Sequence, residues 1–410
     1  MNTLPTGPTK IKRWTFYILH LTPLLCIFSR ETTKLCFMVE SRNLGSQGPL
    51  LIAVLMLFSM WFSMRLGFKS DRGCRKKILI LTLVGSIAAI VILSYAANIT
   101  QHTTKSLLLY FGALGIDCLL GSAGTPVGRA AYFDIWDANN KGYQQKDRLA
   151  TDTNIASALP WILVCFNKNL FEHFLIPISL LFLSISLLLV VFVFEDLRNK
   201  KAKLVAHEIK HAVKTYLHRY ALRLMLAFLF YDIAFQFINY LATEFYNLDK
   251  LRQDFLLVEG GGIFLGGLIA RIGFTYIKSF RSSHKTILVF SFLLFSVFLI
   301  PWGRELITGK FSIDNLVLLL FSSVGGVLLA LSFGYFSHKV KPNETGLLFG
   351  IMESIEIFAE GAISLLFFLG NLKETANSPH IIVTIMLIII GIGIMLVSKK
   401  DKERQTIVKG

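Results

Sequence analysis

Charge is scarce in this chain. Only 17% of its 410 residues are Asp, Glu, Lys or Arg, against about 25% in a soluble globular domain. Proline (ten residues) and cysteine (five) are sparse too. Five cysteines is an odd number, and Cys26, Cys36, Cys74, Cys118 and Cys165 contain no C-x-x-C pair. That argues against a zinc-binding or disulfide framework and leaves them as small hydrophobes. Also lacking are a Gly-Lys phosphate loop, a metal-ligand set and a nucleophile–His–acid arrangement. An enzyme or an ATP-driven pump therefore finds no support, and no cofactor or metal is expected.

Apolar side chains are what the chain has, at 54%. They fall in runs of about 17–25 residues, the length that crosses a bilayer core as helix. The runs lack the period-2 alternation of barrel strands. In lipid each segment must satisfy its own backbone, so the expected class is an all-α polytopic membrane protein. Lys10, Lys12 and Arg13 precede an apolar run that opens at Trp14. No small-x-small cleavage pattern follows, so this run reads as a retained first span.

Twelve spans are expected, near 14–38, 49–66, 78–97, 105–127, 150–167, 174–194, 219–243, 254–277, 286–302, 313–337, 345–369 and 380–398. With the N-terminus inside, most of the 42 Lys/Arg residues fall on one side, Arg129 counted among them as a loop charge. Positive residues mark the cytoplasmic face, so both termini are expected there. Topology thus accounts for the net charge of +16 without a nucleic-acid partner.

The longest charged connection, Glu195–Arg219, fits an amphipathic linker on the membrane surface. It separates an N-terminal six-helix half (1–194) from a C-terminal one (219–398), with the linker at 195–218 and a basic tail at 399–410. His207, His211 and His218 lie on the linker, but no acid or cysteine completes a metal site. Six plus six suggests duplication. Gly67-x-x-x-Asp71 recurs as Gly267-x-x-x-Arg271, with the acid lost.

One loop carries more than topology. Between spans two and three the chain reads Gly67-Phe-Lys-Ser-Asp71-Arg72-Gly73-Cys74-Arg75-Lys76. This resembles the G-x-x-x-D-R-x-G-R-[RK] signature of the major facilitator superfamily. Cys74 stands where the second glycine is usual, with Gly73 one position early. The resemblance implies two six-helix halves that rock about a central cavity lined by spans one, four, seven and ten. It also implies a gate built from Gly67, Asp71, Arg72 and Arg75. There Asp71 would lock the outward-facing state near neighbouring helix ends, where a helix dipole favours an anion. Two other family features are missing. Asp117 replaces an arginine of span four, and Asn154–Pro160 lacks the glycines found in proton-coupled exporters.

A charge at mid-membrane costs roughly 2.5–3.5 kcal/mol, so intramembrane polar residues mark a cavity or a partner. Arg30 and Glu31 sit on span one, and Arg30 suits a carboxylate or phosphate. Asp117 shares a helical face with Gly121, Gly124 and Gly128, a close-packing stripe. Asp232, Gln236, Asn239 and Thr243 form a polar stripe on span seven. Glu353, Glu356, Glu360 and Ser364 share a face of span eleven, and Glu353 lies near its inner end. Carboxyls so crowded suit reversible protonation. Glu259 lies beside packing glycines on span eight.

The proton-coupling candidates are Asp117, Asp232, Glu356 and Glu360; the cavity candidates are Arg30, Glu31, Gln236 and Asn239. The expected protein is a monomeric secondary transporter in a bacterial inner membrane or plasma membrane. It would import a small polar solute, best a zwitterion such as an amino acid, together with protons. The alternatives are proton-coupled efflux of organic cations and a non-transporting receptor or assembly factor.

Overall fold

The structure is a computed structural model. It describes residues 13–40, 47–97, 104–138, 142–166, 168–194, 249–277 and 345–369, and isolated positions at 226, 229, 233, 323–327, 330, 331, 333, 334 and 391. Helices make up nearly all of it: α1 (Arg13–Glu40), α2 (Gln47–Lys69), α3 (Arg75–Ala97), α4 (Thr104–Leu120), α5 (Gly124–Ala138), α6 (Gly142–Phe166), α7 (Lys168–Phe192), α8 (Asp249–Tyr276) and α9 (Thr345–Leu369). No strand occurs among the described residues.

Three stretches of these residues are long and apolar enough to cross a membrane: Ala53–Ala96, Lys105–Trp136 and Phe174–Phe192. Their outer faces present Phe58, Trp61, Leu108, Leu181, Leu188 and Phe192. Such surface is favourable against lipid tails and costly against water. Pro23, Pro160 and Pro177 lie inside α1, α6 and α7, as membrane helices tolerate.

The fourth span departs from a single helix over 105–127. A 3₁₀ turn at Gly121–Ala123 separates α4 from α5, and helix continues to Ala138. Pro126 supplies the cause. It has no N–H to donate to Ser122, and its ring crowds that carbonyl. The chain tightens for one turn, which places Pro126 in the first turn of α5. Arg129 and Asp134 therefore sit within helix, where the sequence suggested a loop.

α1 runs through the interior, in contact with α3, α5, α6 and α7. The apolar core gathers around it from α1, α3, α4 and α7, with Ile90, Leu79 and Leu183 fully buried. The most extensive contact joins α2 to α9, and the next joins α6 to α8. Glycines let these backbones approach. A Cβ on Gly67 would collide with the Gly346 carbonyl, and one on Gly350 would come within 3.0 Å of the Ser63 carbonyl oxygen. Ser354 adds a bridge, its Oγ donating to the Met60 carbonyl at 2.8 Å. On the other pair, a Cβ on Gly260 would meet Trp161 at 2.7 Å and one on Gly267 would meet Ile155 at 3.0 Å.

Candidate functional site

Two polar assemblies lie on these interfaces. The first forms where α2 turns into α3. Ser70–Cys74 makes a π turn in which Gly73 has φ +80°. A side chain there would be strained whatever the space, because L residues avoid this region. Nothing lies within 4 Å of a Cβ built on Gly73, so the demand comes from the backbone alone. The glycine that stood one position early in the motif stands where φ is positive. Cys74 follows in helical geometry.

This turn aims Asp71 at the start of α9. The carboxylate accepts the Gly346 N–H at 2.9 Å and the Leu347 N–H at 2.7 Å. Both belong to the first turn of α9, where amides have no intrahelical acceptor and the dipole favours an anion. Arg75 is fully buried beside it. It donates to Asp71 at 3.1 Å, Ser70 Oγ at 3.1 Å and Thr345 Oγ1 at 2.9 Å, and its Nε bonds Asp134. One guanidinium thus ties α2, α3, α5 and α9 together. Arg72 points away from this group, exposed, with its guanidinium 4.5 Å from the centre of the Phe68 ring.

The second copy of the motif has its own partner. Arg271 of α8 pairs with Asp152 of α6 at 3.2 Å, and Tyr132 donates to the same acid at 3.1 Å.

The second assembly is a buried network of charge. Arg30 pairs with Asp117, which also accepts Ser86 Oγ at 3.2 Å. Glu31 pairs with Lys34 at 3.2 Å and accepts Thr125 Oγ1 at 3.2 Å. Lys34 reaches across to Glu353 of α9 at 3.1 Å. Arg129 approaches the other oxygen of Glu353 at 3.6 Å, and its guanidinium lies 4.2 Å from the centre of the Phe333 ring. Glu356, partly buried one turn on, has Oε1 without a hydrogen-bond partner among the described residues. Acids and bases alternate through the network, which offsets the cost of taking each out of water.

An aromatic layer separates the two assemblies. Phe133 lies between Asp134 and Arg129 on α5, and Phe349 between Gly346 and Glu353 on α9. Their rings meet edge to face at 5.1 Å, and Phe333 stands 5.9 Å from Phe349.

Of the residues singled out in the sequence, the structure joins Gly67, Asp71 and Arg75 at the first assembly, and Arg30, Glu31, Asp117 and Glu356 at the second. Gly121, Gly124 and Gly128 all face α1, near Arg30 and Ile27. Glu360 and Glu259 fall on α9 and α8. Asp232, Gln236, Asn239 and Thr243, the three linker histidines and Cys165 lie outside the described residues or side chains. Among the described residues no three His, Cys, Asp or Glu groups are placed to hold a metal.

Lys34, Arg129, Asp134 and Asp152 were missed as site residues. Thr125, Arg129, Tyr132 and Trp136, spaced 4, 3 and 4, repeat the helical polar stripe that marked the other spans. That signal was present but hidden by reading Arg129 as a loop charge.

No protein-family model and no curated protein sequence matches this chain. Solved structures do match in fold. The human organic anion transporter MFSD10 (TETRAN) aligns at TM-score 0.71 and 15% identity, covering 95% of this chain and 100% of its own. A bacterial homologue of the iron transporter ferroportin, outward-facing, aligns at TM-score 0.68 and 11% identity over 93% of this chain and 98% of its own. The proton:xylose symporter XylE, a major facilitator superfamily protein, aligns at TM-score 0.65 and 13% identity over 94% and 95%. The chain shares the fold of these major facilitator superfamily transporters, and its described residues are helical nearly throughout.

Proposed function

We propose that this chain is a secondary active transporter that moves a small polar solute by alternating access. In this reading residues 1–194 and 219–398 form two halves of six helices each, with both termini in the cytoplasm. The halves rock about a central site, joined by the linker at 195–218. One observation carries it. Asp71 clasps the first turn of α9 below a buried charged network that the same helix completes through Glu353. Opening a path on the Asp71 side requires that clasp to release.

Proton coupling by import is the preferred mode. The described network holds four acids, Glu31, Asp117, Glu353 and Glu356, against Arg30, Lys34 and Arg129. Among the described residues Glu356 has no cation of its own, so it is the group placed to take a proton, with Glu360, Asp117 and Asp232 as further candidates. A membrane potential supplies about 2.3 kcal/mol per charge per 100 mV. That a proton:xylose symporter shares the fold is compatible with this mode.

The test is solute uptake into proteoliposomes with and without an imposed proton gradient. The reading expects gradient-driven accumulation that Glu356→Gln abolishes while leaving downhill exchange. Flux indifferent to the gradient would remove coupling. Accumulation driven by an outward-directed gradient alone would reverse the direction.

A further inference from the structure

Among the described residues Arg129 is the charged side chain with the most unpaired buried donors, and its surroundings are specific. The residue is 3% exposed. Neither Nε nor Nη1 has a hydrogen-bond partner among the described residues. These nitrogens lie on different edges of the guanidinium, so each edge able to grip an anion in bidentate fashion has an open donor. Glu353 is too far to fill either, because 3.6 Å to Nη1 is a charge contact and not a hydrogen bond. The Glu353 hydrogen bond goes to Lys34 instead, through its other oxygen. Phe333 covers one guanidinium face at 4.2 Å, which fixes the plane and leaves its edges free.

A buried donor without an acceptor costs about 1–3 kcal/mol. Packing alone does not call for it, since a neutral side chain would sit on Phe333 as well. An arriving carboxylate supplies what is missing. It has two acceptor oxygens, the planar shape that matches a guanidinium edge, and a charge like that of Glu353. Glu353 Oε2 is itself without a hydrogen bond and can yield its loose hold on Arg129 while keeping Lys34.

We propose that Arg129, held flat against Phe333, is the anchor for the carboxylate of the transported solute, with Glu353 as the internal carboxylate it displaces. This rests on the transporter reading and names the solute class, a small carboxylate, while Glu356 keeps the proton-carrying role given to it there. Arg129 touches the solute, whereas Phe333 acts through Arg129 as a positioning residue.

The experiment uses the full-length protein in lipid nanodiscs. Thermal unfolding is followed with glycine, L-alanine, L-leucine, L-glutamate, lactate and succinate, and with the methyl esters of the amino acids. At least one free carboxylate should raise the midpoint, and its ester should not. Apparent affinity should fall about tenfold or more in Arg129→Gln, the scale of one charge-assisted hydrogen bond, and recover in part in Arg129→Lys. Arg129→Gln leaves Glu353 without one of its cations, so the double variant Arg129→Gln with Glu353→Gln guards against misfolding and should show the same loss. The anchor is overturned if no carboxylate in the panel raises the midpoint, if acid and ester act alike, or if the double variant binds like the parent. Uptake of the same probes separates the two readings. Flux that survives in the double variant keeps the transporter and sinks the anchor. Binding that depends on Arg129 without flux of any probe keeps the anchor and sinks the transporter.

Discussion

Arg271 and Asp152 stand 3.2 Å apart across the α8–α6 contact, in the place that mirrors the hold of Asp71 on α9. Gly67 and Asp71 have their counterparts in Gly267 and Arg271, and each glycine packs against the helix to which its charged residue bonds. The polarity is reversed: α2 offers an acid, and α8 offers a base. The Arg at the position matching Asp71 is therefore an exchange of sign that keeps a contact. Arg271→Asp should impair transport, and adding Asp152→Arg should restore a good part of it. The Arg271 side chain is 36% exposed, so screening limits its share of stability to about 0–1 kcal/mol. The readout is uptake rate beside an unfolding midpoint that moves little. Equal impairment in the single and double variants would refute the pairing.

Asp71→Asn should express and fold, because the amide oxygen still accepts one α9 amide, but transport should drop severalfold. Asp71→Ala goes further. It strips a buried partner from Arg75, a change that costs about 3–5 kcal/mol where no other acid compensates. Asp134 also bonds Arg75, so the loss should fall at the low end of that range. Detergent unfolding of the two variants checks the order Asn above Ala.

The Gly67–Gly346 approach leaves no room for a side chain. Gly67→Val should separate α2 from α9 and lower stability by about 1–3 kcal/mol, the range for overpacking. Gly73→Ala should cost about 1 kcal/mol by a different route, since its φ of +80° strains any L residue in open space. Placing Asn at 73 should recover part of that cost, while Ala at 67 should still clash. A midpoint for Gly67→Val equal to the parent would deny the close packing.

Glu353 and Glu356 should differ under the same substitution. Glu353→Gln removes the acid between Lys34 and Arg129 and should destabilise the fold by about 3–5 kcal/mol. Glu356→Gln removes an acid with no cation of its own among the described residues and should leave stability within about 1 kcal/mol of the parent, while gradient-driven accumulation is lost. Paired measurements of midpoint and uptake separate them. Similar stability losses in both would mean that Glu356 has a structural cation.

Among the described residues helix positions were largely legible because each is a local run of apolar residues; the spans expected near 219–243, 286–302, 313–337 and 380–398 lie outside those residues, save isolated positions. α9 spans Thr345–Leu369, the range that the hydropathy alone suggests. The fourth span was misjudged at its far end for a physical reason. Arg129 and Asp134 look like loop charges until their partners, Glu353 and Arg75, are seen on other helices. Pairing between helices leaves no trace in a single segment. Crowding on α9 suggested carboxyls that repel one another, but Lys34 and Arg129 enter from α1 and α5 to neutralise Glu353. The motif was legible as a pattern, whereas its partner was not, because nothing in Gly346 or Leu347 advertises an acceptor for a carboxylate.

That partner consists of main-chain amides. At Leu347 the clasp depends on the peptide and not on the identity of the side chain, so most replacements there leave it intact and only proline removes the donor. The contact itself sets no demand on the Leu347 side chain, which is buried for packing alone, while the other side must remain an acid. A search for paired substitutions would miss the contact, since one of the two positions has nothing to change.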